Sequence, residues 1–168
     1  MSGDVLFNKY SQELLQQLPK GAFLTVKKDD NINVMTIGWG SVGFIWGKPI
    51  FTLLVRSSRY TYELLDQTKE FSVSVPLNND FKKELVLCGT KSGRDVDKFK
   101  EANLTPVPGK VISAPVIKEC QLFYECKVVY EQLMDPKLLN ETEKEKFYSQ
   151  GDYHVIYYGE ILASYVKE

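Results

Sequence analysis

Two short segments concentrate hydroxyl groups and cations. Arg56-Ser57-Ser58-Arg59-Tyr60-Thr61 lies between an apolar run and a helical pattern. A helix N-terminus presents amides without intrahelical acceptors and a partial positive charge. Ser57, Ser58 and Thr61 would add hydroxyl donors, and Arg56 and Arg59 forked, charge-assisted ones. Such a set suits a phosphate. Taken alone, a capped surface helix with two solvated arginines explains the segment equally well. The stretch from Cys88 to Phe99 again mixes small residues, hydroxyls and cations, among them Ser92 and Lys98. By itself it reads as an ordinary exposed loop. Against a net charge of −1, from 21 Lys+Arg and 22 Asp+Glu, both segments stand out. No global field attracts anions here, so a local cluster must hold one.

A third segment, Asn33-Val34-Met35-Thr36-Ile37-Gly38-Trp39-Gly40, suits a flat ligand. Asn33 and Thr36 offer hydrogen bonds to a ring edge. Glycines let a ligand approach the backbone, and Trp39 offers a surface for a ring or a second subunit. The alternative is a barrel strand with a bulge.

Other motifs fail. Gly38 to Gly43 spells GxGxxG, but a dinucleotide fingerprint needs a helix next, and Gly47 and Pro49 forbid a long one. Gly89-Thr90-Lys91-Ser92-Gly93 lacks the spacing of a phosphate-binding P-loop. His154, the one histidine, has no clustered ligands in sequence and reads as the start of a barrel strand rather than a catalytic group. Cys120 and Cys126 read as core residues on one face of one strand, about 20 Å apart and beyond disulfide reach. Cys88 reads as packing rather than nucleophile.

The elements that must position these residues follow from periodicity. Residues 8–18 suggest a short helix with Tyr10, Leu14 and Leu18 on one face. Strands are expected at 22–27 and 33–37, joined as a hairpin around Asp29-Asp30-Asn31, with an irregular Gly-rich continuation over 38–43. Pro49 to Val55 reads as an apolar strand, and Ser58 to Gln67 as a helix capped by Ser57 or Ser58. Phe71 to Val75 is a strand, Asp80 to Leu87 a helix, 88–97 a loop, with a short helix around Lys98. Residues 103–115 look like a surface excursion. From Glu119 to Glu131 a clean alternation puts Leu122, Tyr124 and Cys126 on one face and Gln121, Glu125 and Lys127 on the other, a half-exposed strand. Residues 135–149 form a polar insertion, and Tyr153 to Val166 a final strand, apolar on both faces and so central or covered. Strands without interleaved helices argue for an antiparallel barrel over a doubly wound sheet.

The 168 residues, 43% hydrophobic, suit one domain over 1–168. No run approaches a membrane span, and the N-terminus lacks the pattern of a signal peptide, so a cytoplasmic protein is expected. The charge balance argues against nucleic acid.

In order and spacing, several segments resemble the flavin reductase-like family with its FMN-binding split-barrel fold, flavoredoxin-type members above all. They are Asn33 to Trp39, Trp46-Gly47-Lys48-Pro49, Arg56 to Thr61, Phe71 to Pro76, Cys88 to Phe99 and His154 to Ile161. The resemblance covers roughly residues 20–165. It implies a mainly β, antiparallel split barrel with a few short helices, acting as a homodimer. It implies a phosphate held by Arg56, Ser57, Ser58, Arg59 and Thr61 with Lys98 and Ser92. The isoalloxazine ring would lie along Met35, Thr36, Ile37, Gly38 and Trp39, near Asn33. Serine also occurs in the family where Gly38 stands. The chemistry would be the flavin's. The protein would pass electrons or hydride from NAD(P)H or a redox protein to an acceptor, or serve as a non-enzymatic electron carrier.

Overall fold

Two tight hairpins set the architecture of the computed structural model, which describes residues 2–78 and 80–167; Met1, Asn79 and Glu168 lie outside it. The first joins β2 (Ala22–Lys28) to β3 (Asn31–Ile37), with Asp29 at positive φ in the turn. The second joins β4 (Gly40–Ile45) to β5 (Lys48–Arg56). Trp46 (φ 55°) and Gly47 (φ 70°) form its two-residue loop, the type I′ pattern that matches strand twist. The Gly-rich stretch expected to be irregular is therefore mostly strand. A Cβ at Gly40 would meet the Thr52 carbonyl at 2.7 Å, so close strand approach demands that glycine. At Gly38 a Cβ would meet nothing nearer than the Leu18 carbonyl at 3.6 Å, so a side chain fits there.

The remaining elements are β1 (Ser2–Asp4), α1 (Ser11–Gln17) with a 3₁₀ turn at Leu18–Lys20, α2 (Tyr60–Thr68), β6 (Glu70–Val75), α3 (Lys82–Thr90), α4 (Lys98–Glu101), β7 (Pro106–Val107), β8 (Val116–Ile117), β9 (Leu122–Leu133), α5 (Glu141–Tyr148) and β10 (His154–Lys167). The main sheet runs β3-β2-β6-β9-β10-β5-β4, with β1 added to β10 and every pair antiparallel. It curls around a core but does not close: the fold is a split barrel, mainly β, as expected. β10 lies between β9 and β5, a central place in the sheet.

Apolar side chains form two bodies. The inner one fills the barrel with Leu24, Met35, Phe51, Leu53, Phe71, Val73, Tyr124 and Tyr157, closed by Leu14, Leu18, Leu64 and Leu65 from α1, the 3₁₀ turn and α2. The outer one lies beneath α3, α4 and the β7–β8 pair, and includes Phe23, Val34, Leu85, Cys88, Phe99 and Phe123. This second body corrects the expected half-exposed strand. The first half of β9 is buried on both faces, and Cys120, placed on the Cys126 face by the alternation, belongs to the outer body while Cys126 lies inside the barrel. All three cysteines are free and buried.

Glu125 is fully buried, against the expectation that its face is solvated. Its carboxylate accepts the backbone N–H groups of Lys110 (2.6 Å), Val111 (2.7 Å) and Ile112 (3.1 Å) and the Tyr165 hydroxyl (2.6 Å). Thus the loop read as a free surface excursion is anchored at its centre. Register shifts in the β9–β10 pair fall between Tyr158 and Gly159 and between Ile161 and Ala163. They bend the long strands around the barrel.

Candidate functional site

β3 is the free edge at one end of the sheet. In an antiparallel pair, alternate residues turn both backbone groups toward the partner or away from it. The Val34 carbonyl accepts a hydrogen bond from Lys98 Nζ at 2.9 Å, outside the β2–β3 ladder. Val34 and Thr36 therefore face away from β2, and the Thr36 N–H and C=O are open to a ligand beside the edge. The Thr36 side chain is held by a 2.6 Å hydrogen bond to the Leu85 carbonyl of α3.

A cavity of about 200 Å³ opens against this edge, lined by Met35 to Trp39 from one side and by Leu54, Arg56, Arg59 and His154 from the other. Arg56 ends β5 opposite His154 of β10. Arg59 is the N-cap of α2 and has extended backbone. This corrects the expected Ser57 or Ser58 cap, and no side chain caps the helix. Its first amides thus keep their anion-binding capacity. Arg59 Nη1 donates to the Gly89 carbonyl at 3.0 Å, and Lys98 Nζ to the preceding Cys88 carbonyl at 2.9 Å. Two cations therefore complete the C-terminal end of α3, where positive charge is favourable. That helix runs to Thr90 and takes in Cys88, which the expected loop boundary had excluded.

Burial sets the titration of the inner groups. It lowers Lys98 to about 8, with Cys88 opposing and Arg59 adding to the effect. It also raises the Cys88 thiol to about 11, Lys98 opposing and Glu84 adding, so Cys88 is no nucleophile. His154 falls to about 4, through burial first and then the repulsion of Arg56 and Arg59, against the pull of Asp152.

The polar insertion and the loop after it pack against residues of the cavity wall. Arg56 donates to the Asp152 carbonyl (2.6 Å) and the Phe147 carbonyl (3.0 Å), and its guanidinium lies 5.1 Å from the Tyr148 ring centre. Ser58 Oγ donates to Asp152 Oδ2 at 2.8 Å. Phe147 meets Trp39 edge-on at 5.1 Å. Asp152 thus occupies one side of the cationic cluster.

The structure brings Met35, Thr36, Ile37, Gly38, Trp39, Arg56 and Arg59 together at one cavity. Ser57 and Ser58 are exposed in the turn before α2. The other three side chains near α2 and β3 stand behind this wall. Asn33 and Thr61 are buried and joined by a 2.8 Å hydrogen bond, and Lys98 serves two carbonyls. Ser92 accepts the Arg94 amide at 3.2 Å in the following turn. The sequence reading missed Leu54, Asp152, Phe147 and Tyr148, and gave His154 no place in the site. Their roles come from strand register and from a fold-back of the insertion, which carry no local signal.

An open antiparallel barrel whose edge strand, aromatic wall and arginine pair share one cavity defines a class of protein suited to flat, anionic ligands. Residues 17–168 match the flavin reductase like domain, and the chain belongs to that family. An uncharacterized protein of Archaeoglobus fulgidus is 34% identical over 144 residues, 86% of this chain and 71% of that one. A flavoredoxin from Methanosarcina acetivorans superposes with TM-score 0.68 at 30% identity, over 88% of this chain and 68% of its own. The FMN-binding domain of a flavin reductases-like enzyme from Shewanella baltica shares the fold, with TM-score 0.73 at 15% identity, covering 99% and 77% of the two chains.

Proposed function

We propose that the protein binds FMN and passes electrons or hydride through it between a donor and an acceptor. One observation carries the reading: the outward backbone of Thr36 and the guanidinium groups of Arg56 and Arg59 border a single cavity walled by Trp39. The donor set fits a flat ring with amide-like edges joined to a phosphate. Met35, Thr36, Ile37, Gly38 and Trp39 hold the ring, and Arg56, Ser57, Ser58, Arg59 and the first amides of α2 hold the phosphate. Asn33, Thr61 and Lys98 support these groups from behind, and Ser92 would join the phosphate from the turn after α3. FMN, when bound, supplies the redox chemistry. The protein's own part is to bind and orient, and to keep cationic donors beside a more negative reduced form. The cavity, about 200 Å³, is smaller than the ~300–1,000 Å³ of common cofactor clefts. Phe147 and Asp152, which hold Arg56 and Ser58, therefore shift, or part of the cofactor stays outside.

A nicotinamide nucleotide is the proposed donor. Phe147 against Trp39 narrows direct access, which favours one other reading, an electron carrier served by a redox protein. We further propose a homodimer in the cytoplasm. Trp46 projects from the β4–β5 turn against Tyr130 and Tyr158, and Trp46 and Tyr130 are exposed. These three rings form one aromatic group at the surface, as at association surfaces, and a second copy is the occupant that the family resemblance implies.

Titration with FMN, read by quenching of its fluorescence, tests the cofactor. Arg59→Ala should weaken binding about tenfold to a hundredfold, the worth of one charge-assisted hydrogen bond. Lack of binding by the wild type refutes the reading. Turnover of NADH with excess flavin separates reductase from carrier. Sedimentation of Trp46→Glu beside the wild type tests the dimer, which the variant should split.

A further inference from the structure

His154 enters the cavity wall from the first residue of β10. Its Nδ1 lies 2.7 Å from the Tyr148 hydroxyl in a buried contact. Its ring is tilted against Trp39 at 5.1 Å. Two proton arrangements are conceivable for this pair. If Nδ1–H donated, the phenol hydrogen would be left with no acceptor among the described residues, although Tyr148 is buried. Leaving a buried donor unpaired costs about 1–3 kcal/mol. A phenol is also a stronger acid than a neutral imidazole N–H. The hydroxyl therefore donates, Nδ1 accepts, and the single ring proton resides on Nε2. Among the described residues no protein group is hydrogen-bonded to Nε2.

The charged and titratable groups around the ring come from every side. Arg56 reaches it from β5, Arg59 from the start of α2, Asp152 from the preceding loop and Tyr148 from α5. Two cations and burial outweigh one carboxylate, so the imidazole stays neutral near pH 7.

We propose that Tyr148 is a positioning residue whose hydroxyl fixes His154 as the neutral Nε2–H tautomer, giving the cavity one uncharged donor for an oxygen acceptor on the ligand. The acceptor is of carbonyl or carboxamide type, since a neutral donor adds no third cation beside Arg56 and Arg59. This last clause rests on the flavin reading; the tautomer does not. The device also gives the insertion a task. α5 carries the hydroxyl that sets the chemistry of a side chain on β10.

Tyr148→Phe isolates the hydroxyl, because the ring still packs under Arg56 (5.1 Å) and on Tyr153 (4.9 Å, 16° between planes). The chain has one histidine, so ring ¹⁵N spectra of the full chain give one unambiguous spin system without added FMN. The wild type should show Nε2 protonated and Nδ1 bare at pH 7. Tyr148→Phe should show both tautomers and a protonation midpoint about one pH unit higher, the worth of one net hydrogen bond. A wild type protonated at Nδ1 overturns the proposal, and that measurement stands even if the variant does not fold. A folded variant with unchanged tautomer and midpoint overturns it too. A wild type that fails to quench FMN refutes the flavin reading and leaves the tautomer result intact.

Discussion

Acidification should cost this protein stability through His154. In the unfolded chain the imidazole takes up a proton near its ordinary value of 6.5, whereas in the fold burial and Arg56 delay that to about 4. Below pH 6.5 the unfolded state binds a proton that the folded state refuses, so stability falls as pH drops, until both states are protonated. The contribution is present in full above 6.5 and lost progressively down to about 4. At 1.36 kcal/mol per pKa unit, the loss at pH 4 is about 3 kcal/mol, a large share of the ~5–15 kcal/mol that holds a typical domain together. Urea unfolding of the wild type and His154→Asn from pH 7.5 down to 4 measures it. Carboxylates titrate in the same window but are common to both proteins and cancel in the difference. The wild type should lose about 3 kcal/mol more than the variant. A difference constant to about 0.5 kcal/mol would mean that the folded imidazole titrates normally, and the burial argument would fall.

Three further outcomes are expected. Thr61→Val removes the acceptor of the buried Asn33 amide and should destabilise by about 1–3 kcal/mol, seen as a lower urea midpoint with little change in FMN affinity. Gly159→Ala places a methyl against the Phe71 ring and within 3.0 Å of Cys126 Cβ inside the barrel; overpacking of that kind costs about 1–3 kcal/mol or more and should lower the melting temperature. Asp152→Asn removes the carboxylate that contacts Ser58 and lies 3.8 Å from Arg56. It should tighten FMN binding about two- to fivefold, the range of a partly exposed ion pair, and the gain should shrink in high salt.

The sequence was most legible where one residue's fate is set by its neighbours in the chain. The β2–β3 hairpin followed from Asp29-Asp30 and its flanking strands, and the central place of β10 followed from two apolar faces. The alternation around Tyr124 located β9 but hid the second core, because α3 and α4 cover a face that local pattern assigns to solvent. Glu125 shows the limit best. A carboxylate at that position reads as exposed, and the loop donors that bury it come from residues 110–112. Likewise the arginines of the candidate site were visible as a cluster, while the N-cap fell on Arg59 rather than on a serine. Tyr148 and Asp152 depend on where the insertion and the loop after it fold back, which no spacing encodes. Lys98 was picked out for its charge, yet the structure gives that charge two carbonyls to serve before any ligand.

That buried ammonium has a consequence for the chain before it meets a cofactor. An unpaired strand edge is a template on which another chain can add a strand. The open seam of this barrel ends in such an edge at β3. With Lys98 bonded to the Val34 carbonyl, an incoming strand would have to displace a cation to pair there. A neutral replacement such as Lys98→Met would then expose the empty protein to self-association along β3. Lys98 thus withholds one backbone acceptor of that edge from an incoming strand, and a ligand lying along Thr36 would occupy a further part of it.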